Sequence, residues 1–155
     1  MGRRRLGLQL AVLLERLAYV AEAVWLSRSH PIVPASIGEV ADKITILEIK
    51  ARKLPSPMKE RADEELLLLR KALGRIRLEE VVVTDEWQGL SRTNAALWDV
   101  EDALRERESQ EDFGVDFVEL ARSVYRLNDQ RFLLKKALND KLGSNLVEVK
   151  GHDFD

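Results

Sequence analysis

Proline stands at positions 31, 34, 55 and 57 and nowhere else in 155 residues. Between and beyond those points the apolar residues recur every three or four positions, the spacing of amphipathic helices rather than strands. The chain is therefore limited to a set of helices, broken where proline forbids them to continue. Ser27 to Pro34 (SRSHPIVP) is a linker, because two prolines and the restriction on pre-proline residues stop a helix there. Upstream of it, Leu6, Leu10, Leu13, Leu17, Val20 and Val24 share one face of an amphipathic helix of about 20 residues. Arg3 to Arg5 followed by an apolar run has the outline of a secretory signal, but Glu15, Arg16 and Glu22 interrupt it. No window reaches the roughly 18 uncharged apolar residues of a membrane span. A docked or partner-binding helix is the expectation for this segment, with an interfacial membrane contact through Arg3 to Arg5 or a cleaved signal as alternatives.

Past the linker, Ser36 and Glu39 form a capping box that opens a helix running to about Leu54, where Pro55 and Pro57 end it. Ile37, Val40, Ala41, Ile44, Leu47, Ala51 and Leu54 make its main stripe. Ile46 and Ile49 fall on the far side, so the helix is either central in the bundle or meets a second copy. Ser56 and Pro57 are expected to cap one further helix through Glu80, with Leu66, Leu69, Leu73 and Ile76 inward and Leu67 and Leu68 widening the face. Val81 to Val83 is too short to classify. Thr84 caps a helix to about Glu108, Asp112 to Gly114 turns the chain, and a last helix runs from about Val115 to Leu142, ending at Gly143. The expected fold is all-α: a helical bundle of two antiparallel hairpins with an additional N-terminal amphipathic helix. Residues 1–33 form that helix and its linker, 34–145 the bundle and 146–155 a tail.

Composition narrows the chemistry. Cysteine is absent and histidine occurs only at 30 and 152, which excludes disulfides, thiolate metal sites and cysteine nucleophiles. Neither histidine has an evident orienting partner for a hydrolytic triad. Lys and Arg number 25 against 27 Asp and Glu, a net charge of −2, far from the basic surface expected of a nucleic-acid binder.

The informative anomaly lies in the last two helices. Trp87, Leu90, Leu97 and Leu104 face inward on one, and Asn94, Glu101 and Arg105 stand at the same spacing. On the other, Phe117, Ala121, Val124, Leu138 and Leu142 set the buried direction, with Asn128, Arg131, Lys135 and Asn139 close to it. The hairpin should bring Glu101 near Arg122 or Tyr125, and Asn94 near Asn128 or Arg131. Buried charges must be paired, so one reading is a polar network that fixes helix register. The other is a binding site in which Arg122, Arg131 and Lys135 hold an anionic group, Asn94, Glu101 and Asn128 orient it, and Trp98 and Tyr125 flank it. Acidic residues at Asp99, Glu101, Asp102 and Glu106 offer a weaker magnesium reading like that of all-helical nucleotide pyrophosphohydrolases. An Arg and Lys pocket of the helical chorismate mutase type is a second enzyme alternative.

The stretches PASIGEVADKITILEIK, NAALWDVEDALRERE, FGVDFVELARSVYRLNDQR and LKKALNDKLGSNLVEVK, spanning Pro34 to Lys150, resemble a family of short all-helical bacterial proteins known only as a domain of unknown function. The family motif matches Asp42, Lys43, Glu48, Lys50, Asn94, Trp98, Glu101, Asp102, Arg105, Arg122, Tyr125, Asn128, Asp129, Arg131, Lys135 and Asn139. The tail departs from it. The resemblance implies no activity, only an association with glycosyltransferase and surface-polysaccharide genes in Gram-negative bacteria. The chain is accordingly expected to be a non-catalytic, cytoplasmic helical module. It would bind a helical partner or a second copy of itself, or a small anionic ligand, without cofactor, metal or catalytic residue; a small enzyme acting on an anionic metabolite or nucleotide through the interior cluster is the alternative.

Overall fold

The computed structural model describes residues 31, 33–146, 148, 149 and 151, and of residues 75 and 76 the backbone alone. The amphipathic helix expected over residues 6–26 and the end of the tail lie outside the described residues. Residues 35–155 form a compact unit of their own. Its helices are α1 (Ile37–Lys53), α2 (Met58–Leu73), α3 (Arg75–Val82), α4 (Asp85–Ser109) and α5 (Val115–Leu142), and no strand occurs among the described residues. The fold is the expected all-α bundle: α1 pairs with α2 and α4 with α5, and α1 also packs on both α4 and α5.

Helix α1 is thus the central element, and its second buried side is covered by helices of the same chain. Ser36 caps it by accepting the Glu39 N–H at 3.1 Å. The expected capping box is half formed, because the Glu39 carboxylate turns away to accept from Lys135 Nζ at 2.9 Å. Leu54, in extended conformation before Pro55, ends the helix after Lys50, Arg52 and Lys53 have brought positive charge to its last turn.

The single long helix expected from residue 59 to 80 is two helices. Gly74, at φ 77° and ψ 155°, takes a conformation that costs a residue with a Cβ, and its N–H closes α2 on the carbonyls of Arg70 and Lys71. The break lets α3 turn and bury Val81 fully. The β-branched run is therefore the end of a helix. Pro57, rather than Ser56, is the N-cap of α2, and the Ser56 hydroxyl donates instead to the Glu60 carboxylate. Leu67 and Leu68 are 68 % and 37 % exposed and do not widen the buried face, since α2 packs into the core through Ala62 and Leu66, with Leu69 and Leu73 partly buried beside them.

Where local signals were strong the elements follow them. Thr84 accepts the Trp87 N–H at 3.1 Å and opens α4. Gly143, left-handed at φ 65° and ψ 42°, closes α5 by donating to the Asn139 carbonyl. The core gathers Ala41, Ile44 and Leu47 from α1, Ala62 and Leu66 from α2, Val81, Trp87, Leu90 and Leu138. Each large aliphatic side chain so buried stabilises the fold by roughly 1.5–3 kcal/mol. Because α1 stops at Lys53, whose ammonium meets Asp99 at 2.6 Å, it covers only the half of the α4–α5 hairpin that lies away from the turn at residues 110–114.

Candidate functional site

The start of a helix leaves its first amides without intrahelical acceptors. In α1 these are satisfied largely by the far end of the chain: Ile37 N–H donates to Ser144 Oγ at 3.3 Å and Gly38 N–H to Asn139 Oδ1 at 2.7 Å. Asn139 Nδ2 in turn donates to Ser36 Oγ at 3.2 Å, so one buried amide group caps α1 across the bundle. The approach requires glycine at 38, where a Cβ would stand 2.5 Å from the Lys135 carbonyl oxygen.

One turn further along α1 lies a buried polar group. Asn94 Nδ2 donates to Asp42 Oδ1 at 2.8 Å and to Thr45 Oγ1 at 2.9 Å, and the Thr45 hydroxyl donates to the Asp42 carbonyl at 2.8 Å. Asp42 is 4 % exposed. Burial pushes its carboxyl above the ordinary aspartate value, although the Asn94 hydrogen bond and the charges of Arg131 and Lys135 oppose that shift. Asn94 Oδ1 is buried without a hydrogen-bond partner among the described residues.

Arg131 and Lys135, one turn apart on α5, face this group from the other side. Arg131 Nε is 3.9 Å from Asp42 Oδ2, an ion pair beyond hydrogen-bond length, and the guanidinium remains partly open to solvent. Lys135 is buried, and its Nζ meets Glu39 at 2.9 Å and Glu148 of the tail at 2.5 Å. Burial works against its charge, but the hydrogen bonds to Glu148 and Glu39 outweigh it and hold the ammonium above the ordinary lysine value. Between these groups opens a cleft of about 230 Å³ lined by Asn128, Arg131, Phe132, Lys135 and Glu148.

Of the residues expected at a site, the structure gathers Asn128, Arg131 and Lys135 at this cleft and links Asn94 to it through Asp42. The rest stand elsewhere. Asn94 pairs with Asp42 and Thr45 on α1, and neither Asn128 nor Arg131 is its partner. The Asn128 amide donates back to the Val124 carbonyl at 2.9 Å. Glu101 and Arg105 are exposed and pair with each other at 3.1 Å, and Arg122 is exposed and pairs with Glu119 at 2.7 Å. Tyr125 is 54 % exposed under the Arg126 guanidinium. Trp98 is half-buried and carries the Lys53 ammonium over its ring at 5.7 Å. Glu101, Arg105, Arg122 and Tyr125 lie past the end of α1, where no other described helix covers the hairpin. The acidic set of the magnesium reading is divided among cations, Asp99 on Lys53 and both Glu101 and Asp102 on Arg105, and the described residues hold no cluster of three His, Asp or Glu disposed for a metal.

Helical spacing did not single out Asp42, Thr45 or Gly38 as site residues, although Asp42 belongs to the family motif and Ser36 to the capping box. A signal was present: Asp42 and Thr45 share the face of Ile46 and Ile49, so burial of that second side implies their burial as well. With this geometry the sequence comparisons agree in extent. The chain belongs to a family of unknown function, DUF6165, whose model matches residues 32–155. No curated protein and no solved structure matches it.

Proposed function

We propose that this member of the family is a non-catalytic module that binds a small anionic ligand at the cleft between Arg131 and Lys135. The observation that carries the reading is the state of Arg131: a guanidinium with five donors lines a solvent-open cleft beside a buried ammonium, yet its carboxylate contact among the described residues is too long for a hydrogen bond. A purely structural arginine would be expected to spend its donors on acceptors of the fold. The deeper polar groups, Asn139, Asn94, Asp42 and Thr45, are engaged with one another and fix the walls. A thermal-shift screen of small acids against the wild type and Arg131→Ala tests the reading. Stabilisation of the wild type alone, with similar melting temperatures in the absence of ligand, is the expected result; equal response of both proteins, or a large loss of stability on substitution, rejects it.

A partner-binding role has separate support in the apolar side chains that α5 leaves exposed, Val118, Tyr125 and Leu133. Sedimentation of the whole chain tests whether that face joins two copies in a homodimer, and a monomer at all concentrations rejects it. No helix among the described residues is long and apolar enough to cross a membrane. A cytoplasmic setting in a bacterium, accessory to surface-polysaccharide assembly, is part of the proposal and rests on the sequence resemblance.

A further inference from the structure

The charges around the cleft do not leave room for an additional anion. Among the described residues two cations, Arg131 and Lys135, already face three carboxylates, those of Glu39, Asp42 and Glu148. An anionic ligand must therefore replace one of the three. Glu39 is also half exposed, but it stands on the first turn of α1, in a segment capped by Ser36 and Asn139, and does not line the cleft. Asp42 is almost wholly buried and bonded to Asn94. Glu148 alone belongs to the tail beyond Gly143, outside any helix, and it is half exposed at the rim of the cleft it lines. We infer that the Glu148 carboxylate is the resident occupant of an anion position on Lys135, and that a small organic carboxylate binds by displacing it.

The inference rests on the binding-module reading and names both its ligand class and its competitor. The class follows from what the cleft already accepts. Lys135 Nζ holds carboxylate oxygens at 2.5 and 2.9 Å, so a carboxylate in the position of Glu148 needs no rearrangement of the ammonium. Arg131 adds a planar fork of donors that can take two oxygens of the same carboxylate. At about 230 Å³ the space is below the roughly 300–1,000 Å³ of pockets for drug-sized ligands, which restricts the guest to a small acid.

The test is calorimetric titration of the full chain, as wild type, Glu148→Gln and Lys135→Met, with benzoate and with inorganic phosphate. Benzoate should bind Glu148→Gln about tenfold more tightly than wild type, because the competing carboxylate is gone while its shape remains; Lys135→Met should bind neither probe. In wild type, saturating benzoate should move the amide resonances of Val149 and Gly151 toward their positions in Glu148→Gln. Equal benzoate affinity in wild type and Glu148→Gln overturns the competition and leaves the binding-module reading standing. Tighter binding of phosphate than benzoate overturns the ligand class. Absence of binding by either probe in both folded proteins removes the module reading and the inference together. Glu148→Ala repeats the comparison without the amide that Gln introduces.

Discussion

The α4–α5 hairpin has two halves built from similar residues and used differently. In the half away from the turn, Asn94, Lys135 and Asn139 point into a seam under α1 and are buried and bonded across helices. In the half next to the turn, Glu101, Arg105, Arg122 and Tyr125 sit at comparable helical spacing and are exposed, paired with neighbours one turn away on their own helix where they pair at all. The helices and their periodicity are the same in both. What differs is a third helix, since α1 ends at Lys53 beside Asp99. Polar residues on an inward-leaning stripe become a network or a solvated coat according to whether something lies over them, and the stripe itself carries no record of that.

Four substitutions sharpen or break this contrast. Asn139→Ala removes the cap that joins Ser36, Gly38 and the end of α5, leaving a buried amide without its acceptor, and should lower stability by about 2–3 kcal/mol in urea unfolding. A loss below about 0.5 kcal/mol would mean that water replaces the cap and that the covered half is no more demanding than the open one. Gly38→Ala places a Cβ against the Lys135 carbonyl, which is backbone and cannot swing aside, and should cost about 1–3 kcal/mol through displacement of α1 from α5. Unchanged stability there would show that the two helices are not held at contact distance.

A smaller effect, with a definite sign, is expected from Asp42. Its folded pKa is raised above the ordinary value of 3.8, so this group favours folding most below that value and progressively less as the pH rises through the folded pKa. Asp42→Asn abolishes the titration. Its stability relative to wild type should therefore grow as pH is raised from below 4 through the folded pKa and then level off; a difference that shrinks with rising pH would show that Arg131 and Lys135, not burial, govern the carboxyl. Least of all, Arg105→Ala in the open half should change stability by less than about 0.5 kcal/mol, as exposed i,i+4 pairs usually do. A larger loss would place a covering element over that half after all.

The same contrast explains what could be read from the residues. Helix starts and stops with local causes were legible: Thr84 before Trp87, Gly143 after Leu142, the prolines at 55 and 57. Gly74 was not, because the residues flanking it keep a helical pattern and the break is set by the need to bring Val81 into the core. Asn94, Arg131 and Lys135 were found by spacing because their stripe is covered, and Glu101 and Arg122 were misplaced by the same rule because theirs is not. The partner of Asn94 lay on α1 rather than on α5, since spacing ranks faces of one helix and says nothing of which neighbour meets them. Asp42 was within reach through Ile46 and Ile49 on its own face.

The cap that Asn139 and Ser144 place on α1 has a consequence for the order in which the chain is made. Ile37 waits for an acceptor 107 residues downstream and Gly38 for one 101 residues downstream, so the central helix leaves the ribosome with these two amides unmet and its polar flank uncovered. Growth of the chain from the N-terminus cannot lock the bundle piece by piece. Closure waits for the stretch that carries Asn139 and Ser144, and a product cut short before Asn139 retains every apolar segment of α1 to α4 but lacks that fastening.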